Sequence, residues 1–359
     1  MKELWTLPGI RFFLAALFTV MSICLILTGC GRSENDLSGR SGSQGEISDD
    51  APNEVSDDTD PDAPDNGAAY TLMTKVMDVI NDPVFGDYGR LIFPVDRTIS
   101  DDLELQDVGD ILIWYNNVNP DRTVEIANYL HDQAAAGNQI FYDIYTEEEK
   151  AVDPGKEDTG LFFFRGDPGA KTAVTNAGGG FMYVAAMHDS FPHALELSKR
   201  GYNAFALIYR PGADTACEDL ARAIAFLYEN AEELQIDMTD YSLWGGSAGA
   251  RMAAWLGSYG TAAFGADTCP APGAVIMQYT GLSDVTGNEP PTYACVGTSD
   301  GIASWRSMED YISRIQENGT DAEIEVFDGL RHGFGLGEGT VAEGWLDHAV
   351  SFWERNMKK

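Results

Sequence analysis

Basic residues are scarce in this chain. Its 359 residues include 23 Lys and Arg against 57 Asp and Glu, which gives a net charge of -34 at pH 7. A surface of this sign repels a phosphate backbone, because nucleic-acid binding depends on cationic side chains that displace counterions. The composition therefore argues against nucleic acid as a partner and disfavours polyanionic substrates.

Cysteine and histidine are also rare. The chain has five of each, and no Cys-x-x-Cys pair offers the ligand spacing of a zinc site. Five cysteines are too few for a disulfide framework in a chain of this length. We therefore expect no metal site, and no cofactor is implied.

The N-terminal apolar run is too short for a comfortable membrane span. Residues 12–27 form a mainly apolar run of 16 residues, whereas about 20 are needed to cross the hydrocarbon of a bilayer. The run follows Lys2 and Arg11 and precedes small residues, which is the order of a secretory signal peptide. The pattern predicts export, with residues 1–29 as the signal peptide.

The segment ends in Leu27-Thr28-Gly29-Cys30, which resembles the lipobox of bacterial lipoproteins. The resemblance implies cleavage before Cys30, a diacylglycerol on its thiol, and anchoring by lipid to the outer face of the cell membrane. The alternative is an ordinary signal peptide or short anchor with an incidental cysteine. With Cys30 lipidated, at most one disulfide can form among the remaining thiols, and Cys269 with Cys295 is the candidate pair.

The next zone, residues 30–67, is acidic and polar. From residue 31 it holds 11 acidic and 2 basic residues and little that is apolar, so it cannot bury enough surface to offset the entropy cost of ordering. We predict a disordered tether, although a solvated tail without a role would have the same composition. The remaining residues, 68–359, keep a net charge of -26 and form the predicted folded domain.

Short β-rich runs alternate with helical patterns from residue 70 onward, which is typical of an α/β fold. We predict a mostly parallel eight-stranded sheet with helices on both faces, and an N-terminal extension over residues 68–137 that could act as a cap. In the extension, residues 71–80 and 120–136 look helical and 111–115 could form a strand. The predicted strands are 139–145, 161–165, 171–176, 203–209, 241–244, 274–279, 292–296 and 323–327. The predicted helices are 192–200, 215–234, 248–258, 304–318 and 341–356.

Two Gly-x-Ser-x-Gly motifs are candidates for a nucleophile. The first, Gly245-Gly246-Ser247-Ala248-Gly249, lies between a predicted strand and a predicted helix. A nucleophilic serine needs this spacing because it occupies a strained turn where neighbouring side chains would collide. The second motif, Gly297-Thr298-Ser299-Asp300-Gly301, would leave only one strand before His332, with Asp321 or Asp328 as the acid. Position therefore favours Ser247 over Ser299.

The acid and base expected with Ser247 are Asp300 and His332. Asp300 follows the seventh predicted strand, and His332 follows the eighth, 32 residues later. This gives the chain order Ser, Asp, His across successive strand ends, in which the histidine acts as base and the carboxylate orients it. Asp328 and Asp284 are the rival acids.

A third element is the run Asn176-Ala177-Gly178-Gly179-Gly180-Phe181, directly after a predicted strand. Three glycines allow backbone N–H groups to approach a reacting carbonyl without a side chain in the way. The functional interpretation is an oxyanion hole formed by Gly179, Gly180 and the amide of Ala248. The alternative is a flexible loop.

Together these residues resemble the α/β-hydrolase fold serine esterases, most closely the acetylxylan-esterase-like and hormone-sensitive-lipase-like branch. The resemblance spans residues 139–359 and includes Tyr209-Arg210 and Asp219. It departs at Ala177, where the lipase-type loop begins with His. The resemblance implies the fold and a Ser-His-Asp acyl-enzyme mechanism.

The sequence thus predicts an exported, lipid-anchored carboxylic ester hydrolase. Its expected substrates are short acyl esters, acetyl groups on plant polysaccharide above all, because a surface enzyme meets polymers too large to import. Two alternatives stay open: a serine exopeptidase of the same fold, and a non-catalytic surface binding lipoprotein on a hydrolase scaffold.

Overall fold

The computed structural model describes residues 68–358. The predicted signal peptide, the lipidation site Cys30 and the tether lie outside the described residues. Among residues 68–358, no helix is both long enough and apolar enough to cross a bilayer.

Eight strands form one sheet in the order β1-β2-β4-β3-β5-β6-β7-β8. Strand β2 is antiparallel to both of its neighbours, and the strands from β4 to β8 pair in parallel. The predicted mostly parallel eight-stranded sheet is confirmed. The strands are β1 Phe141–Asp143, β2 Gly160–Phe164, β3 Lys171–Asn176, β4 Asn203–Ile208, β5 Asp237–Gly246, β6 Ala274–Gln278, β7 Thr292–Gly297 and β8 Ala322–Phe327.

The central strands are covered on both faces. Every residue of β2, β4, β6 and β7 is buried, which is why these strands read as continuous apolar runs rather than alternating ones. The α-helices of the described residues are α1 Val76–Ile80, α2 Pro120–Ala135, α3 Glu147–Val152, α4 Ala186–Asp189, α5 Phe191–Lys199, α6 Ala213–Glu229, α7 Ala231–Leu234, α8 Ala248–Tyr259, α9 Trp305–Glu317 and α10 Trp345–Asn356.

Three local predictions are corrected. Residues 111–115 do not form a strand: a 3₁₀ helix covers Leu105–Ile111, and Trp114 has φ 76°, a conformation that a strand residue does not adopt. The predicted helix at 215–234 is interrupted at Asn230, which separates α6 from α7. Of residues 71–80, only Val76–Ile80 are α-helical.

The N-terminal extension shares the hydrophobic core of the sheet domain. Helix α2 begins at Asn119, whose side chain accepts a hydrogen bond from the Asp121 amide at 3.0 Å. The apolar face of α2, with Ile126 and Leu130, is fully buried in the same cluster as the strands. This packing fixes the segment before α2 against the carboxyl edge of the sheet.

The three cysteines of the described residues are free thiols, so the candidate pair Cys269 with Cys295 does not form. Cys295 is buried in β7 opposite Gln278, at the carboxyl end of β6. Cys269 precedes the amino end of β6. The two side chains therefore lie at opposite ends of the sheet.

Candidate active site

Ser247 occupies a sharp turn between β5 and α8. Its φ is 51°, in the left-handed region that is costly for a residue with a side chain. The turn presses the chain against the neighbouring strand: a Cβ on Gly249 would lie 2.0 Å from the carbonyl oxygen of Asn176. A Cβ on Gly245 would lie 2.3 Å from the carbonyl carbon of Gly249. The glycines of the motif are therefore required by close backbone approach.

A continuous hydrogen-bond chain runs from this serine. His332 Nε2 lies 3.1 Å from Ser247 Oγ, and His332 Nδ1 lies 2.8 Å from Asp300 Oδ2. The second carboxylate oxygen of Asp300 accepts hydrogen bonds from the amides of Ile302 and Ala303, both at 2.7 Å. With Nδ1 donating to the carboxylate, Nε2 is the acceptor for the serine hydroxyl. The three predicted residues lie together, and Ser247 is partly exposed to solvent.

The rival residues lie elsewhere. Ser299 is exposed, and the His332 ring bonds Ser247 instead. Asp328 accepts a hydrogen bond from the Thr298 hydroxyl at 3.0 Å. Asp284 is exposed. The geometry thus distinguishes the two serine motifs: Ser247 contacts the histidine and Ser299 does not. The sequence could rank the two motifs only by their positions in the chain.

The glycine loop lies beside Ser247. A Cβ on Gly178 would lie 2.7 Å from the Cβ of Ser247, so the backbone of the loop approaches the serine directly. Gly179 and Gly180 have φ of 119° and 64°. Within residues 68–358, the N–H groups of Gly179, Gly180 and Ala248 donate to no protein acceptor. Unpaired amides beside a serine are the donors that an oxyanion requires.

Comparisons with known proteins bear on the fold. A family model named BD-FAE matches residues 166–302, a span that includes the glycine loop, Ser247 and Asp300 and ends before His332. The acetyl ester-xyloside bifunctional hydrolase of Caldicellulosiruptor lactoaceticus is 19% identical and superposes with a TM-score of 0.53, covering 60% of this chain and 95% of that one. This chain has the α/β-hydrolase fold.

Two further structures share this fold. The Thermogutta terrifontis esterase Est2 bound to propionate is 20% identical, with a TM-score of 0.52, covering 60% of this chain and 93% of that one. Thermogutta terrifontis esterase 2 phosphorylated by paraoxon is 19% identical, with a TM-score of 0.50 and coverage of 61% and 96%. No curated protein matches the chain. At these identities, both matches show the fold of the chain.

Two elements of the resemblance, Tyr209-Arg210 and Asp219, hold the glycine loop in place. The Tyr209 hydroxyl donates to the carbonyl of Ala177 at 2.7 Å, directly before the three glycines. The next residue, Arg210, forms a buried ion pair with Asp219 at 2.6 Å, and its amide donates to the same carboxylate at 2.8 Å. This pair fixes the end of β4 to helix α6, and through Tyr209 it positions the loop.

Asp189 is a buried carboxylate that sequence reasoning missed. It accepts hydrogen bonds from the Gly178 amide at 2.8 Å, from the Tyr115 hydroxyl at 2.9 Å and from the Tyr279 hydroxyl. Burial raises the pKa of Asp189 above its usual range. The Tyr279 ring in turn packs edge-on against the His332 ring, with the centroids 4.9 Å apart. Asp189 therefore connects the glycine loop to the surroundings of the histidine.

The N-terminal extension contributes to the site as well. A Cβ on Gly180 would lie 2.9 Å from the Trp114 ring, so this ring covers the glycine loop. Asn116 donates from its side chain to the carbonyl of His332 at 2.9 Å, across 216 residues of sequence. No local pattern marks these residues, because each acts through a partner far away in the chain.

The described residues offer no metal site: among residues 68–358, no group of three or more His, Cys, Asp or Glu side chains is placed to hold an ion. The polar groups of the site instead pair with one another. Chemically, His332 can remove a proton from Ser247, and the free amides beside the serine can stabilise negative charge.

Proposed function

We propose that this hydrolase is an exported, lipid-anchored serine esterase that cleaves short acyl esters, acetyl esters foremost. The observation that carries the proposal is the hydrogen-bond chain from Ser247 Oγ through His332 to Asp300, with distances of 3.1 and 2.8 Å. A serine hydroxyl becomes a useful nucleophile when an adjacent base removes its proton.

In the first half of the reaction, Ser247 Oγ attacks the ester carbonyl while His332 Nε2 takes its proton. Asp300 stabilises the resulting imidazolium and keeps the ring in orientation. The carbonyl oxygen becomes an oxyanion, which accepts hydrogen bonds from the N–H groups of Gly179, Gly180 and Ala248. The imidazolium then protonates the leaving alcohol, and the acyl group remains on the serine.

In the second half, His332 takes a proton from water, which attacks the acyl-enzyme at the same carbonyl. The same amides stabilise the second oxyanion. Collapse of this intermediate releases the acid and returns the proton to Ser247. Every proton transfer passes through His332 Nε2, and the hydrogen bond from Nδ1 to Asp300 already orients this ring, so little reorganisation is needed.

The substrate class and the location that we propose rest on the signal segment and on the structural relatives. The signal segment with Cys30 favours export and lipid anchoring, and a tethered enzyme outside the cell meets polymers. One structural relative is named an acetyl ester-xyloside hydrolase, and another was determined with propionate bound. Acetyl groups on polysaccharide are therefore the substrate that we propose.

The test compares two serine variants of the purified protein. Ser247→Ala should lose paraoxon labelling and retain only the hydrolysis of para-nitrophenyl acetate that binding and the oxyanion hole supply, roughly 10³ to 10⁴ over water. Ser299→Ala should keep both activities, because its exposed hydroxyl does not contact the histidine. A labelled, active Ser247→Ala protein beside an inactive Ser299→Ala protein would overturn the assignment.

A substrate panel separates the remaining functions. We expect release of acetate from acetylated xylan and faster turnover of acetyl than of long-chain esters. Cleavage of aminoacyl amides in preference to esters would indicate an exopeptidase instead. A folded protein that neither hydrolyses any ester nor reacts with paraoxon would be a binding lipoprotein.

A further inference from the structure

Arg251 lies one helical turn beyond Ser247 on α8. Side chains on a helix slant toward its N-terminus, which directs this one back toward the serine. Its guanidinium donates a hydrogen bond to the carbonyl of Gly281, just beyond the end of β6. Because β5 and β6 are parallel and Gly246 is in register with Gln278, Gly281 and Ser247 lie at the same edge of the sheet. The cation is therefore held beside the nucleophile.

Among the described residues, this guanidinium has no counter-charge. Within residues 68–358 it forms no ion pair, and burial lowers the pKa of Arg251 below its usual range. The pKa of Arg210 shifts in the opposite direction. Burial lowers it, but the hydrogen bond to Asp219 and the negative charge of that carboxylate raise it above its usual value. A guanidinium has five N–H donors, and one carbonyl leaves most of them unused. A desolvated cation is costly unless an anion compensates it.

The surroundings of Arg251 connect it to the oxyanion side of the site. Its guanidinium carbon lies 5.7 Å from the centroid of the Trp255 ring. The Trp255 ring stacks on Phe181, with the centroids 6.2 Å apart and the planes within 3°. Phe181 directly follows Gly180 in the glycine loop. Arg251, Trp255 and Phe181 are each partly exposed, so a bound molecule can reach them.

We propose that Arg251 is a specificity-determining residue that binds a carboxylate carried by the ester substrate, close to the scissile bond. The proposal rests on the esterase function argued above and narrows its substrate class. The net charge of -26 on residues 68–359 repels anions, so a substrate carboxylate needs a dedicated cation in order to bind there.

Two matched substrate pairs test the proposal, one for each side of the ester bond. For the acyl side, monomethyl succinate is compared with methyl succinamate; for the alcohol side, para-carboxyphenyl acetate is compared with para-carbamoylphenyl acetate. Each pair differs only by a carboxylate against a neutral amide. We expect the wild-type protein to prefer the carboxylate by kcat/KM in at least one pair, and that pair identifies the side.

The variants then assign the preference to Arg251. Arg251→Gln should lower the ratio of the two kcat/KM values about tenfold or more, the effect of losing a hydrogen bond to a charged group. Arg251→Lys keeps the charge and should retain part of the preference. Salt should lower the ratio in wild type, and this measurement also serves if Arg251→Gln fails to fold.

The outcomes separate this proposal from the esterase assignment. If the wild-type protein hydrolyses the neutral esters without favouring either carboxylate, Arg251 only holds the Gly281 loop and the proposal is overturned while the esterase function stands. A preference that Arg251→Gln leaves unchanged in folded, paraoxon-reactive protein also overturns it. If none of the four esters and no paraoxon reacts, both proposals fail.

Discussion

The buried histidine His193 makes the stability of this protein depend on pH. It lies on α5 beneath the sheet and is 2% exposed, and neither ring nitrogen has a hydrogen-bond partner within the described residues. Burial lowers the pKa of His193 from 6.5 to about 3. The imidazole therefore stays neutral in the folded protein across the whole range in which an unfolded chain takes up a proton.

The sign and size of the effect follow from this difference. Below pH 6.5 the unfolded state binds a proton that the folded state refuses, so the free energy of unfolding falls as the pH decreases toward 3. Between pH 7.5 and pH 5, protonation of His193 in the unfolded state lowers the free energy of unfolding by about 2 kcal/mol. Each pH unit below the pKa of the unfolded histidine contributes about 1.4 kcal/mol. That is a large part of the stability of an ordinary domain.

The assay is urea unfolding of wild type and His193→Gln at pH 7.5 and pH 5. Other groups also titrate, among them Glu196, whose folded pKa is about 2, so the comparison of the two proteins isolates the histidine. Between pH 7.5 and pH 5, the free energy of unfolding of the variant should fall by about 2 kcal/mol less than that of wild type. Equal losses in wild type and His193→Gln would refute the reasoning.

Three other changes address the site and the anchor. Asp189→Asn removes the carboxylate that holds the Gly178 amide, so kcat for an acetyl ester should fall about ten- to hundred-fold, with a smaller change in KM. If the melting temperature falls while kcat is unchanged, the role of Asp189 is structural only. Gly178→Ala should abolish most activity, because its Cβ would lie 2.7 Å from the Cβ of Ser247; full activity would contradict the close approach. Cys30→Ala should abolish incorporation of labelled lipid, and continued labelling would refute the lipobox interpretation.

Helix and strand content is predictable because the signals are local. The strand β3 at Lys171–Asn176 matches its prediction to the residue, and helix α8 differs from its prediction by one residue at its end. Both are marked by runs whose apolar pattern and flanking glycines lie within or beside the element itself. The run at 111–115 has a glycine on its N-terminal side alone, at Gly109, and there the prediction of a strand is wrong.

The nucleophile motif is recognisable for a similar reason. The strained turn at Ser247 requires glycine at fixed neighbouring positions. The five consecutive residues of the motif therefore identify it. The glycine loop after β3 is also a local signal, because positions where two backbones approach closely require glycine. Both features can therefore be identified from the order of the amino acids alone.

The sequence by itself determined the order of the elements, the sheet, the two serine motifs and the acidic charge of the chain, because all of these depend on neighbouring residues. Only the tertiary structure decided that Ser247 rather than Ser299 meets His332, across 85 residues, and that Asp189 holds Gly178. It alone revealed that Arg251 has no counter-charge among the described residues. A hydrogen bond, or the lack of one, between groups far apart in the chain produces no periodicity and no spacing, so it can be seen only when the chain is folded.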